Sequence, residues 1–165
     1  MLKKILSEPL GLEKLRTLLP KRSKAVLYES LRNKSRAEIF KNLDSLVVLY
    51  EVKIANRNEG HYVVLLPRAH SIEYFSSLGR SPTDEMKSLH QNPTIFKELL
   101  GKNYTYNRRK LQLQRYDISD CGYWCVARAI LHELKLSPFQ TLFNSKQLRS
   151  SDECLAWMSL LLANR

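Results

Sequence analysis

The chain has 165 residues, 44% hydrophobic and 26% charged, a balance that suits one packed domain and excludes a disordered segment or a repeat array. No run reaches the roughly 18 apolar residues of a spanning helix, the first residues lack a signal-peptide pattern, and three cysteines are too few for a disulfide framework, so a soluble, non-secreted protein in a reducing compartment is expected. With 27 Lys and Arg against 16 Asp and Glu the formal charge is +11, which attracts polyanions.

That charge is uneven: residues 1–41 hold eleven basic side chains against four acidic ones, and Arg108-Arg109-Lys110 forms a second knot. Ordinary solvated helix faces explain such runs equally well. Lys21, Arg22, Lys24, Arg108, Arg109 and Lys110 are carried as candidate contacts to nucleic acid, as an accessory property.

The first quarter reads as helical. Ser7 caps a run with leucines at 12, 15, 18 and 19 that Pro20 stops, and Ser35-Arg36-Ala37-Glu38 has the spacing of a capping box. From residue 46 three short runs rich in β-branched and aromatic residues, LVVLYEVK, GHYVVLL and SIEYFSSLG, predict a three-stranded meander. Ser81-Pro82 and Asn92-Pro93 then open two helices, with Gly101 ending the second. An extended run over 110–116 leads into a helix from Cys121 to about Leu134, and Ser137-Pro138 and Ser150-Ser151-Asp152-Glu153 open two closing helices. This order indicates an α+β fold, one domain over 1–165 with a helical part (1–45), a central core (46–135) and C-terminal helices (136–165).

Cys121 falls in the first turn of a predicted helix, where unpaired N–H groups and the helix dipole favour a thiolate, and Gly122 leaves the approach uncrowded. Taken alone, burial as a small hydrophobe explains it as well. Cys125 and Cys154 read as packing. A thiol nucleophile needs a base, and of the four histidines His70 and His90 fall in turns or helix ends, while His132 is about 16 Å down the same helix. His61, after Gly60 at the mouth of a strand, remains. A turn over 67–70 sets Leu66 opposite Ser71 and His61 opposite Ser76, with Glu73 on the other face. A hydroxyl then stands where an orienting carboxylate is expected, which predicts a Cys-His dyad. Gln112 and Gln114 share a strand face from which either amide reaches a developing oxyanion. A metal reading of Cys121, Cys125 and His132 lacks the tight knuckle spacing of a structural zinc site, so no metal or other cofactor is expected.

The segments Gly60-His61-Tyr62-Val63-Val64-Leu65-Leu66, Ile72 to Gly79, and Leu113-Gln114 ahead of Asp120-Cys121-Gly122-Tyr123-Trp124-Cys125 resemble the adenovirus-type maturation proteinases, relatives of the SUMO-specific proteases. Tyr104-Thr105-Tyr106-Asn107 brings the pattern nearest to the versions of virophages and Polinton-like elements. The resemblance spans about residues 46–135. It implies a papain-like, adenain-like fold with a small, mostly antiparallel central sheet flanked by helices and the nucleophile at a helix N-terminus. It further implies Cys121 as nucleophile, His61 as general base and acid, and Gln114 as oxyanion donor. Two positions depart from the family: Tyr62 replaces a tryptophan after the histidine, and Ser76 occupies the place of the acid. The expected activity is that of a viral cysteine endopeptidase cleaving capsid or core precursors inside the virion or host cell, with DNA as a partner by analogy. The alternatives are a protease for ubiquitin-like modifiers and a non-catalytic binding module on the same scaffold.

Overall fold

The computed structural model describes residues 10–54, 57–112, 120–143 and 155. Helix α1 (Leu12–Leu18) ends where Leu19 turns extended, as a residue before proline must. Then follow strand β1 (Ser23–Leu27), a 3-10 turn (Tyr28–Leu31) and α2 (Arg36–Phe40). The capping box forms at α2: the Glu38 N–H donates to the Ser35 side chain, and the Glu38 carboxylate accepts from the Ser35 N–H. Strands β2 (Ser45–Ile54), β3 (Arg57–Pro67) and β4 (Ile72–Phe75) make the predicted meander. Helices α3 (Pro82–Ser88) and α4 (Thr94–Leu100), strand β5 (Tyr104–Tyr106) and helices α5 (Cys121–Ile130) and α6 (Leu136–Leu142) complete the described elements.

The five strands form one sheet in the order β1-β2-β3-β4-β5. The meander is antiparallel, but both edge strands are parallel to their neighbours, so the pairings are evenly divided and the sheet is not mostly antiparallel. The sequence reading missed β1 inside its helical quarter and β5 altogether. It put an extended run at 110–116 instead, where 110–112 are irregular and 113–116 lie outside the described residues. Ser7, Cys154 and the helix start at 150–153 also lie outside them.

Layers of helix cover both faces of the sheet. One face carries Val47, Tyr62, Val64, Leu66 and Phe75 against α1, α5 and α6. The other carries Val48, Tyr50, Val63, Leu65 and Tyr74 against the 3-10 turn, α2, α3 and α4. Burial on both sides explains why β2 and β3 read as nearly unbroken apolar runs. On the first face a buried ion cluster ties α5 to the sheet: Arg128 of α5 grips Glu73 of β4 with two hydrogen bonds of 2.8 and 3.0 Å, and Arg68 binds the same carboxylate at 2.7 Å. Arg128 also donates to the carbonyls of Leu131 and Leu134, which caps the end of α5.

Candidate active site

The register of β3 with β4 places Leu66 opposite Glu73 and Pro67 opposite Ile72, two residues from the predicted pairing with Leu66 opposite Ser71. A shift of two preserves the faces of the side chains. Ser76 therefore still lies on the side of His61, and Glu73 still points away, into the Arg68–Arg128 cluster. What changes is where the strand ends. β4 stops at Phe75 and pairs only with residues 64–67 of β3, so no strand of the described residues lies beside His61 and Tyr62 on that side. Through this opening the two helical layers reach each other.

The chain turns away over Ser76–Gly79, with Gly79 at a φ of +68° and its N–H on the Ser76 carbonyl at 2.9 Å. A Cβ at Gly79 would stand 2.6 Å from backbone atoms of Arg109 and Lys110, so the turn packs backbone against backbone. Asn107 clamps it further, accepting from Ser76 N at 2.9 Å and donating to Ser76 O at 2.6 Å. The amides of Leu111 and Gln112 both donate to the Ser77 carbonyl.

Cys121 is the first residue of α5, and His61 projects from β3 to meet it; the two are 7% and 8% exposed. Their side chains are hydrogen-bonded to each other. On its Nε2 side, His61 faces Glu85 Oε1 at 2.9 Å and Ser76 Oγ at 3.3 Å. Glu85, from α3, is fully buried and also accepts from Tyr74 OH at 2.7 Å and Ser76 Oγ at 2.9 Å. The site is thus a chain of sulfur, imidazole and carboxylate, and not the Cys-His dyad expected from sequence.

The electrostatics follow from that chain. Burial by itself opposes every charge here. For His61 that penalty is overcome by the hydrogen bonds and charges of Cys121 and Glu85, which raise its pKa to about 10. Burial likewise pushes the Cys121 thiol up, but the His61 hydrogen bond and charge, with the amides of Tyr62 and Gly122 donating to the sulfur, bring it below its ordinary value. Glu85 is held below the usual carboxylate range, its burial outweighed by His61, Tyr74 and Ser76. Both shifts run in the direction that favours a thiolate beside an imidazolium over the neutral pair. Cys125, one turn on, has no such partners: burial, then the charges of Cys121 and Glu85, push its thiol well up, which makes it inert.

The other expected residues fall as follows. Gln112 is buried, with its amide oxygen accepting from Ser77 Oγ at 2.6 Å as part of the turn clamp, and Gln114 lies outside the described residues. Gly122 does not clear an approach to the sulfur. A Cβ there would meet Leu10 at 3.1 Å and Leu15 at 3.3 Å, so glycine allows α5 to pack closely on the segment around α1. Tyr62 is core, packed where the family's tryptophan is expected. His132 binds the Ala129 carbonyl and faces Asp44 at 3.8 Å, away from any cluster with Cys121. Lys21, Arg22 and Lys24 lie at the β1 edge of the sheet, and Arg108, Arg109 and Lys110 follow β5 at the opposite edge. Arg22 is moreover paired with Asp44 at 3.2 Å, and the Arg108 guanidinium stacks over Tyr106.

Glu85 and Tyr74 are the residues that sequence reasoning missed. A signal was present: Glu85 sits between Pro82 and Met86 on the buried stripe of α3, a carboxylate where the helical period calls for an apolar side chain.

No protein-family model matches the chain. It is 29% identical to the uncharacterized protein V9 of Sputnik virophage, over 74% of this chain and 76% of that protein, a similarity that links it to a virophage. Among solved structures, the central domain of the uncharacterized Lpg1148 protein of Legionella pneumophila aligns over 74% of this chain and 75% of that chain, with 14% identity and a TM-score of 0.39. No helix among the described residues is long and apolar enough to cross a membrane.

Proposed function

We propose that the chain is a cysteine endopeptidase of the adenovirus type, with a papain-like fold, that cleaves capsid or core precursor proteins. The observation that carries this reading is the hydrogen-bonded series Cys121–His61–Glu85 at the start of α5. A carboxylate that orients and charges the imidazole beside a helix-terminal sulfur is the arrangement thiol acyl transfer needs. Glu85 takes the part that the resemblance gives to the position of Ser76.

In the reaction, the Cys121 thiolate attacks the peptide carbonyl carbon and the carbonyl electron pair moves onto oxygen. The Cys121 N–H and the Gln114 amide stabilise that oxyanion. Collapse breaks the C–N bond, and His61, already carrying its proton, delivers it to the departing amine. His61 is then neutral and draws a proton from water, whose oxygen attacks the thioester. The acid product leaves, and the thiolate and imidazolium are restored.

The similarity to a virophage protein supports a virion and host-cell setting; virion precursors as substrates and DNA as an accessory partner belong to the proposal itself. The test is co-expression of wild type or Cys121→Ala with the capsid precursors of the same genome. Truncated products with wild type only are expected, and none with either form would overturn the substrate assignment. Cleavage of folded modifiers ending in Gly-Gly, with capsid precursors left intact, would move the reading to a modifier protease. Labelling by a thiol-reactive peptide probe no faster at Cys121 than at Cys125 would leave a binding module.

A further inference from the structure

A buried imidazolium beside a buried carboxylate has a competitor in which the proton shifts from Nε2 to Oε1 and both groups become neutral. In that neutral arrangement the sulfur loses the positive charge that stabilises it. What opposes the shift lies around Glu85. Oε1 accepts from Ser76 Oγ at 2.9 Å and Oε2 from Tyr74 OH at 2.7 Å, so the two oxygens receive three donors with that of His61. Donors of this kind favour the anion over the acid.

The direction of the Ser76 donation is fixed by its surroundings. Its oxygen already accepts the Leu78 N–H at 3.3 Å, and the Glu85 carboxylate can only accept, so the hydroxyl hydrogen goes to the carboxylate. Asn107 locks the Ser76 backbone on both its N–H and its carbonyl, which keeps that geometry. Glu85 is faced by His61 from β3, by Tyr74 from β4 with Ser76 just beyond it, and by the charge fields of Tyr50 from β2 and Cys125 from α5. Among these, the hydroxyls of Tyr74 and Ser76 are the neutral groups that contact the carboxylate.

We propose that Tyr74 and Ser76 are positioning residues that keep Glu85 a carboxylate and so keep the proton on His61, beside the sulfur of Cys121. This rests on the reading of Cys121 as the nucleophile. Ser76 is then not a substitute for a missing acid. It is one of two hydroxyls that let a glutamate from the next helix serve in that place.

The test uses the full chain and iodoacetamide, with alkylation of Cys121 followed by mass spectrometry across pH. Tyr74→Phe and Ser76→Ala should each move the onset of Cys121 reactivity upward by about one pH unit, the scale of one hydrogen bond to a charged group. In a Glu85→Gln background, Tyr74→Phe should add no further shift, because there is no carboxylate left to hold ionised. Thermal unfolding checks that each variant folds, and Ser76→Ala decides the matter if Tyr74→Phe does not. An unmoved onset in the folded variants, or the same shift with and without Glu85, overturns the inference while leaving the nucleophile assignment intact. An ordinary thiol profile for Cys121 in the wild type overturns both.

Discussion

His61 Nε2 stands 2.9 Å from Glu85 Oε1 on the face of the sheet that α3 covers, while the sulfur they serve comes from α5, which packs on the other face. The short β4 makes this meeting possible. A strand two or three residues longer would cover the flank of His61 and close the opening to α5.

Replacing Glu85 by glutamine keeps the shape of the side chain and removes its charge. We expect the rate of acyl transfer to fall on the order of 10²-fold or more, with the fold retained. Peptide hydrolysis by purified protein, set beside circular dichroism, measures both.

The pH dependence of stability should be unusually flat around neutrality. His61 has its pKa raised from 6.5 to about 10, so its contribution is complete below 6.5 and fades as pH rises toward 10. Cys121 has its pKa lowered from 9.0, so its contribution is complete above 9.0 and fades as pH falls. Between 6.5 and 9.0 the two slopes oppose each other, which flattens the profile. Cys121→Ala removes one side of the balance, and its urea midpoint should then decline across this window while that of the wild type stays level. Below 4.5 both should lose stability as Glu85, held low in the folded protein, binds its proton on unfolding.

Glu73 and Arg128 are fully desolvated partners. Glu73→Leu leaves the buried Arg128 guanidinium without its carboxylate and should cost about 3–5 kcal/mol, with Glu73→Leu/Arg128→Met recovering part of the loss. Because Glu73 points away from His61, alkylation of Cys121 in the folded fraction should not change. Urea titration and iodoacetamide labelling read the two effects separately.

Gly79 and Gly101 both have positive φ, but only Gly79 meets backbone. Gly101→Ala should cost about 1–3 kcal/mol, the penalty of holding an L residue at a φ of 62° and a ψ of −146°, a region essentially reserved for glycine. Gly79→Ala adds a steric clash of roughly 1–3 kcal/mol and should also slow acyl transfer, because the turn it closes carries Ser76. Thermal melts and rates on both variants separate these cases.

Local physics was legible in the sequence. The Ser35 capping box, the Ser81 cap with Pro82 behind it, the Gly101 stop, the apolar runs of β2 and β3, and Cys121 at a helix start all depend on neighbours within a few residues. His61 could be reached by elimination, and its face toward Ser76 survived a two-residue register error because side chains alternate along a strand. Only the tertiary structure decided the rest. β1 and β5 are short strands whose pairing in parallel depends on long-range contacts, not on their own pattern. Glu85 became the partner of His61 because α3 folds back over the sheet, and nothing in its local sequence says which buried nitrogen a buried carboxylate will find. The charge of the site belongs to the same level, since a thiolate, an imidazolium and a carboxylate stabilise one another only once packing has removed water from all three.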